Sequence, residues 1–479
     1  MVKFVAVSVI RTMLPFACDK TYHSFRKGRG TIMTKSMTEG RPLRLLLQFT
    51  LPLLLGNLFQ QLYNTADAAI VGQFLGSDAL ASVGASSSVQ FLVLGFCIGT
   101  CCGFAIPVAQ RFGAEDYESM KTYVYHAVVL AAVTACLMTV ACALLCPQIL
   151  HILSTPEDIF DGAYTYLLII FLGIPFNILY NLLSGILRAV GDSKTPFLFL
   201  AISTCSNIVL DLFCILVLKW GVAGAAIATI TSQAMSGTLC LIYIIKKVPL
   251  LHFERPHRRL QFSYVKRLLL MGLPMGLQYS ITAIGSMVMQ SSNNKLGTVY
   301  VTGFTAGVRL KQFFICPFDA LATAVSTFCG QNLGARKMDR VRKGIKDGLI
   351  VAIAYGLASG VVLIFFGRDM ACLFVSADSA RVLDAAGEYV RYLGYFTWSL
   401  GILNICRLAI QGLGFSGRAV FAGVVEMVAR SVVGIGFAPV YGYLAICLSD
   451  PAAWISACLY LVPMCIYCVR KLERMQLAS

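Results

Sequence analysis

Long apolar runs separated by short charged breaks dominate the pattern of hydrophobic and polar positions along this chain. One run, "AVVLAAVTACLMTVACALLC" (127–146), carries no charged residue. At about 1.5 Å of rise per residue, a helix of this length crosses a hydrocarbon core about 30 Å thick. Grouping the runs predicts twelve spans, at approximately 44–71, 89–110, 122–147, 162–187, 195–217, 221–245, 264–290, 304–330, 345–367, 386–413, 419–438 and 446–469. The predicted fold class is an all-α polytopic membrane protein with twelve transmembrane helices.

The charged breaks alternate in composition. Hydrophobic residues make up 58% of the 479-residue chain and the formal net charge is +16, which in a membrane protein favours basic cytoplasmic loops over nucleic-acid binding. The basic breaks lie near 111–121, 188–194, 246–267, 331–346 and 411–418, whereas those at 72–88 and 147–161 have no Lys or Arg. By the positive-inside rule both termini are predicted to be cytoplasmic. The loop near 368–385 is an exception, because it carries Arg368 and Arg381.

Two related segments indicate an internal duplication. "VAQRFGAED" (108–116) and "CGQNLGARK" (329–337) share Gln-x-x-Gly-Ala and close the second and eighth spans. Six spans per copy give both copies the same orientation, so we expect two lobes related by an axis along the membrane normal. The predicted division is a cytoplasmic tail (1–40), an N-lobe (41–245), a cytoplasmic linker (246–263), a C-lobe (264–470) and a cytoplasmic tail (471–479). Because residues 1–40 fit neither copy, we expect translation to start at Met33 or Met37.

Cysteine usage and motif content argue against an enzyme. Most of the 18 cysteines lie singly inside apolar runs, which is typical of small packing residues. A zinc or redox site needs paired thiols with polar support, so neither is predicted. The chain has no HExxH, GxSxG or nucleotide-binding loop, so neither hydrolase chemistry nor ATP as the energy source is predicted.

Polar residues follow one face of the first span. Asn57, Gln60, Asn64 and Asp67 recur at spacings of three, four and three, which places them on one side of a helix. Amides alone could simply join neighbouring helices. An unpaired carboxylate in a span is costly, so the stripe is predicted to line a polar interior, with Pro52 supplying a kink.

The fifth and sixth spans carry polar residues that match this stripe. Ser203, Asn207 and Asp211 recur every four residues, and Thr229 lies at the depth of Asp211 when both are counted from the basic flanks. Asp67 can join them if the first span is tilted or kinked. Two carboxylates, an amide and a hydroxyl form an oxygen-rich cluster, predicted to hold a proton or Na⁺ because two buried like charges do not easily coexist. A static pair with one acid permanently protonated is the alternative.

The second copy differs at the equivalent positions. An offset of 223 residues aligns Ser203 with Glu426 and Asn207 with Arg430. Glu426 and Arg430 stand at i,i+4 and are predicted to neutralise each other as a structural pair. Asp319, in "CPFDALATAV" (316–325), is an acid without an evident partner and is a candidate second-lobe site.

Taken together, the chain resembles the MATE (multidrug and toxic compound extrusion) family over about residues 37–470. The resemblance rests on "LPLLLGNLFQQLYNTADAAIVGQFLG" (51–76), "ILRAVGDSKTP" (186–196), the two Gln-x-x-Gly-Ala segments and the duplicated layout. It implies a V of two six-helix bundles. Similarity to the prokaryotic DinF-like branch implies a coupling network at Asp67, Pro52, Asn181, Asn207, Asp211 and Thr229. The other bacterial branch has a glutamate where this chain has Thr282.

The expected function is secondary active efflux of cationic amphipathic compounds in exchange for H⁺ or Na⁺ by alternating access. No other cofactor is expected. We expect a monomer in the bacterial inner membrane that contacts small-molecule substrates and lipid, and not nucleic acid. A flippase for a lipid-linked sugar or peptidoglycan precursor is the alternative, although it would call for more Arg and Lys facing the cavity.

Overall fold

A computed structural model describes residues 36–152, 155–375 and 379–477, and these residues form helices and turns without strands. Helices suit the long apolar runs because all backbone polar groups are then satisfied within each segment. The helices are α1 (Pro42–Leu75), α2 (Ser77–Gly113), α3 (Tyr117–Ile152), α4 (Glu157–Leu172), α5 (Ile174–Ala189), α6 (Lys194–Leu212), α7 (Gly221–Lys247), α8 (Phe262–Asn294), α9 (Thr298–Gly334), α10 (Met338–Ala371), α11 (Ala380–Gly412), α12 (Ser416–Ser431), α13 (Ala438–Tyr441) and α14 (Tyr443–Leu477).

The number of spans agrees with the apolar pattern. In the described chain eleven helical segments are long and apolar enough to cross a membrane, and there are twelve when α4 and α5, which meet at a bend of 44°, are counted together as one span. Two spans contain a π-helical segment: α6 continues into Phe213–Val217, and α12 continues through Val432–Phe437 into α13. The predicted all-α class with twelve spans is confirmed.

Some of the loops predicted between spans are too long, because the helices extend into them. The break at 72–88 is almost wholly helical, because α1 ends at Leu75, α2 begins at Ser77, and only Gly76 separates them with a φ of 91°. Similarly, α10 begins at Met338, before the predicted 345. Hydropathy marks the part of a helix within the hydrocarbon, whereas backbone hydrogen bonds continue into the polar layer on either side.

The helices pack as two groups, and α1 passes from one to the other. Near its start, Leu45, Phe49 and Leu53 belong to the large apolar core that α9, α11 and α14 build in the second group. Near its end, Ile70 and Val71 pack in a cluster with α4 and α7 in the first group. This crossing places the middle of α1, with its polar stripe, beside the boundary between the lobes.

One end of the molecule, called here the basic end, carries the linker and both Gln-x-x-Gly-Ala segments. The linker forms two short 3-10 turns, Pro249–Leu251 and Arg255–Arg258. The two segments meet there, because Gly113 packs against the Gln331 backbone. Each glutamine also bonds to the opposite lobe: Gln110 Nε2 donates to the Gly412 carbonyl at 3.0 Å, and Gln331 Nε2 donates to the Ala189 carbonyl at 2.8 Å. The lobes are therefore held together at the basic end by two equivalent bonds.

The N-terminal tail is described only from residue 36 onward. Met37 is buried, and its N–H donates to Gln331 Oε1 at 2.8 Å. Arg340 on α10 donates to the carbonyl oxygens of Met37 and Gly40. The predicted start of translation at Met33 or Met37 concerns residues that lie mostly outside the described part, and it stays a prediction.

Candidate functional site

The predicted cluster of the first lobe is assembled from α1, α6 and α7. Asp211 is fully buried, Asn207 is 1% exposed, and Asp67 and Thr229 are each 8% exposed. The spacing of four along α6 puts Ser203 on the same face, where its hydroxyl donates to the Ser232 carbonyl of α7. The three helices of the site pack directly against one another: α1 with α6, α6 with α7, and α1 with α7.

Asn207 bridges the acid of its own helix and the backbone of the next. In the amide orientation that satisfies both neighbours, Asn207 Nδ2 donates to Asp211 Oδ2 at 3.0 Å and Asn207 Oδ1 accepts from the Thr229 N–H at 3.3 Å. A buried amide with two such partners is fixed in orientation. Asn207 therefore presents its donor to the Asp211 carboxylate.

The two carboxylates each retain an oxygen without a partner. Asp67 and Asp211 are near enough to interact electrostatically, and Oδ1 of each is buried with no hydrogen bond to the described residues. Leaving a carboxylate oxygen unsatisfied in a low-dielectric interior is costly. A proton or a small hard cation bound between these oxygens would remove that cost, so the residues fit either ion.

Tyr63 is a member of the cluster that the sequence analysis missed. Its hydroxyl lies 2.9 Å from Thr229 Oγ1, and this contact joins α1 to α7. Tyr63 stands one helical turn before Asp67, so the helical periodicity that selected the amides would also have selected it.

Three residues of the α1 stripe, Asn57, Gln60 and Asn64, are not part of the buried cluster. Asn57 Nδ2 donates to the Cys316 carbonyl of α9, in the other lobe, at 3.5 Å. Gln60 and Asn64 are exposed, and on the helix they lie between the direction of Asn57 and that of Tyr63. Their exposure distinguishes them from the buried members of the cluster.

Two other predicted residues are placed as follows. Asn181 Nδ2 donates to the carbonyl and the side-chain oxygen of Asn177, at 2.9 and 3.2 Å. These bonds lie within one helix, α5, so the structure gives Asn181 a packing environment and no bond to the cluster. Pro52 is buried inside α1, which remains one continuous helix around it.

Asp319 is not the isolated acid that its sequence context indicated. Asn404 on α11 donates to Asp319 Oδ1 at 3.1 Å, and the Arg407 charge acts on the same carboxyl. The side chain is exposed. Because Asn404 occupies one oxygen, Asp319 presents a single free acceptor from the C-lobe.

The predicted Glu426–Arg430 ion pair is present, and it belongs to a larger charged network. Glu426 contacts Arg407 of α11 most closely, while its distance to Arg430 Nη2 is 3.7 Å. Arg430 Nε instead contacts Asp450 Oδ1 at 3.0 Å, and Lys311 Nζ contacts Asp450 Oδ2 at 2.7 Å. The i,i+4 rule describes neighbours on one helix, and here charges from two other helices, Arg407 of α11 and Asp450 of α14, come closer.

Known protein families and relatives match this chain over most of its length. A family model described as MatE matches residues 52–213 and 274–438, two segments that together exceed half of the chain. This chain belongs to the MATE family. It is accordingly a multi-pass membrane transporter and not an enzyme.

Individual relatives agree. The chain is 35% identical over 377 residues to the probable multidrug resistance protein YpnP of Bacillus subtilis, covering 79% of this chain and 84% of that protein. It is 24% identical to an FAD transporter of Shewanella oneidensis, over 77% and 82% of the two chains. A solved structure described as the outward-facing conformation of a multidrug resistance MATE family transporter superposes with a TM-score of 0.86 at 21% identity, over 91% and 98% of the chains. This last likeness establishes the fold.

Proposed function

We propose that this chain is a multidrug efflux antiporter of the DinF-like branch, which exports cationic amphipathic compounds in exchange for H⁺ or Na⁺. The observation that carries the proposal is the buried pair Asp67 and Asp211, each with one oxygen that has no hydrogen-bond partner among the described residues. Asn207 fixes one of these carboxylates, and Tyr63 links the helix of the other to Thr229. The coupling site is therefore assigned to the N-lobe.

Alternating access then follows from where α1 lies. Binding of the ion neutralises Asp67 and lets α1 pack against α6 and α7, whereas loss of the ion leaves two like charges facing each other in low dielectric. An ion and a cationic substrate that favour different packings of α1 are coupled through that difference in free energy. Gln60 and Asn64, the exposed polar groups of the α1 stripe, are the ones that a substrate meets first.

A flippase for a polyanionic lipid-linked precursor has less support. Three basic side chains of the C-lobe spans, Lys311, Arg407 and Arg430, are engaged with Asp450 or Glu426 inside the lobe. They are thus unavailable to an anionic headgroup in the cavity. The YpnP relative is described as a probable multidrug resistance protein, which also favours export of drugs.

The proposed setting is the bacterial inner membrane, with a monomeric chain and both termini in the cytoplasm. The basic linker and the basic breaks at 331–346 and 411–418 lie at one end of the molecule. The positive-inside rule assigns that end to the cytoplasm.

The test is efflux of a fluorescent cation from proteoliposomes under an imposed pH gradient or an imposed Na⁺ gradient, applied separately. Asp67→Asn and Asp211→Asn are each expected to lower gradient-driven efflux at least about tenfold, which corresponds to about 1.4 kcal/mol. Asp161→Asn, an exposed acid at the start of α4, is the matched control and should transport normally. Retained transport in both cluster variants would refute the assignment.

A further inference from the structure

A stripe of exposed polar and aromatic residues runs along the first half of α11, the most buried of the spans. Its members recur at spacings of three and four and are Arg381, Asp384, Glu388, Arg391, Tyr395 and Trp398. This spacing places them on one helical face. The stripe contains one of the two arginines that break the positive-inside pattern, and the proposed transport cycle uses none of its residues.

The stripe has the polarity profile of a membrane interface. Counting about 30 Å of hydrocarbon back from Gly412, at about 1.5 Å per residue, reaches the region of Arg391. The charges therefore lie in the headgroup layer at the end opposite the basic end, and Tyr395 and Trp398 follow where aromatic belts occur. On α10, Phe365 and Phe366 are 72% and 58% exposed, one turn before Arg368.

A cleft of about 450 Å³ opens between the end of α10 and this stripe. Gly387 makes the close approach of the two helices possible, since a Cβ at this position would lie 2.9 Å from Arg368 Cβ. Arg368 Nε donates to Asp384 Oδ1 at 2.7 Å. That bond holds the Arg368 guanidinium at the wall of the cleft while its two Nη groups have no hydrogen bond to the described residues.

Two further charges line the same cleft without an ion-pair partner. Glu388 and Arg391 both border it, and neither forms an ion pair within 4.0 Å in the described part of the chain. The cleft thus offers two guanidinium groups, one carboxylate already neutralised by Arg368, and one free carboxylate. Guanidinium groups are the preferred partners of phosphate oxygens, whereas a free carboxylate calls for a cation that can donate hydrogen bonds.

We propose that this cleft binds the headgroup of a zwitterionic aminophospholipid of the phosphatidylethanolamine type. Arg391 and Arg368 bind the phosphodiester and Glu388 accepts hydrogen bonds from the primary ammonium. The acyl chains leave the cleft over Phe365 and Phe366. The site is separate from the Asp67–Asp211 cluster, so it stands or falls independently of the proposed coupling mechanism.

The chemistry distinguishes this ligand from other lipids. A phosphatidylglycerol headgroup carries no cation for Glu388, and the carboxylate would repel its net negative charge. A phosphatidylcholine headgroup carries a cation that has no N–H to donate. Only the primary ammonium satisfies Glu388 while the phosphate satisfies Arg391.

The experiment is native mass spectrometry of the full chain released from nanodiscs that contain equal amounts of phosphatidylethanolamine, phosphatidylglycerol and phosphatidylcholine. The wild type is expected to retain phosphatidylethanolamine about fivefold over each of the others, the ratio given by about 1 kcal/mol. Glu388→Gln should abolish that preference, and Arg391→Gln should lower retention of all three lipids. Arg381→Gln, on the same stripe but outside the cleft, is the matched control and should keep the wild-type ratio.

Three outcomes would overturn the proposal. The wild type could retain the three lipids equally, Glu388→Gln could keep the preference, or soluble phosphoethanolamine could displace the lipid at an equal concentration. The last result would assign the cleft to a free phosphorylated amine rather than to a lipid. Should Glu388→Gln fail to fold, Glu388→Asp provides the second variant, and its shorter carboxylate is expected to weaken the preference; an unchanged preference in this variant also counts against the site.

Discussion

At the scale of single residues, Asp450 of the C-lobe is held by three side chains from three other helices. Its carboxylate accepts from Lys311 Nζ at 2.7 Å, from the Tyr389 hydroxyl at 2.8 Å and from Arg430 Nε at 3.0 Å. The carboxylate is 1% exposed and two cations depend on it for neutralisation. Removing one member of a buried ion network is far more costly than removing a surface pair, because the remaining charge has no solvent to stabilise it.

We therefore predict that Asp450→Asn lowers the free energy of unfolding by about 3–5 kcal/mol, the range for breaking a buried pair. Thermal unfolding of the purified protein in detergent measures the effect. Asp116→Asn, which removes a surface partner of Arg111 at 3.0 Å, is the control and should cost about 0–1 kcal/mol. The double variant Lys311→Met with Asp450→Asn should recover part of the loss, and no recovery would contradict the charge-balance explanation.

The sequence predicted which residues lie together when all of them belong to one helix and recur at its period. The four-residue repeat of Ser203, Asn207 and Asp211 was sufficient to place them on one face, and they are buried together. The sequence also predicted the Glu426–Arg430 pair but not the surrounding network, because Arg407 and Lys311 come from other helices and no spacing along the chain reveals which helices will pack. An acid in an apolar run such as "CLSDPAAW" (447–454) indicates a buried partner, and this signal was available for Asp450.

At the scale of elements, the linker is attached to α3 through two histidines. His126 Nδ1 contacts the Thr122 carbonyl at 2.8 Å, and its Nε2 accepts from the Gln261 N–H at 3.0 Å. His257 Nδ1 accepts from the Glu254 N–H at 3.0 Å, while its Nε2 lies 2.8 Å from Glu118 of α3. In each ring, one nitrogen thus accepts a hydrogen bond from a backbone N–H of the linker, which requires that this nitrogen carry no proton.

From this we predict that His126→Phe loosens the linker without unfolding the lobes. The ring of phenylalanine can keep the stacking on Tyr264, whose centroid lies 5.4 Å from that of His126, but it cannot accept from the Gln261 N–H. Limited digestion with trypsin should then cleave after Arg258 and Arg259 several times faster than in the wild type. His151→Phe, an exposed histidine near the far end of the same helix, should digest as the wild type does, and equal rates for both variants would argue against the attachment.

The elements themselves were largely predictable, with informative exceptions. Uncharged runs fixed the number and order of spans because hydrocarbon excludes unsatisfied backbone and charge. The bend between α4 and α5 and the π-helical segments after α6 and α12 were not predicted. The bend lies at Gly173, Ile174 and Pro175, so the sequence did carry a signal for it, because proline interrupts the backbone hydrogen bonds of a helix. The π-helical segment Phe213–Val217 contains no glycine or proline, so it had no such signal.

At the scale of the whole molecule, the duplication explains how the lobes meet. A Cβ at Gly113 would lie 1.9 Å from the Gln331 carbonyl oxygen, and one at Gly334 would lie 1.8 Å from the Gln110 carbonyl oxygen. The glycine of each Gln-x-x-Gly-Ala segment therefore packs on the backbone of the glutamine in the other. The sequence revealed the repeat but not this reciprocal contact, since a repeat does not state that its copies touch.

Because the contact is reciprocal, we predict that substitution of either glycine is enough to open the basic end. Gly113→Ala and Gly334→Ala should each force the backbones apart and increase the population in which the lobes separate there. Hydrogen exchange measured by mass spectrometry is expected to rise in both segments, 108–116 and 329–337, whichever glycine is changed, because each variant breaks the same interface. Gly84→Ala on α2, where an added Cβ meets no atom within 4 Å, is the control and should exchange as the wild type does. Faster exchange confined to the mutated segment would mean that the two copies open independently, and closure would then have to be assigned to Gln110 and Gln331 separately rather than to one shared contact.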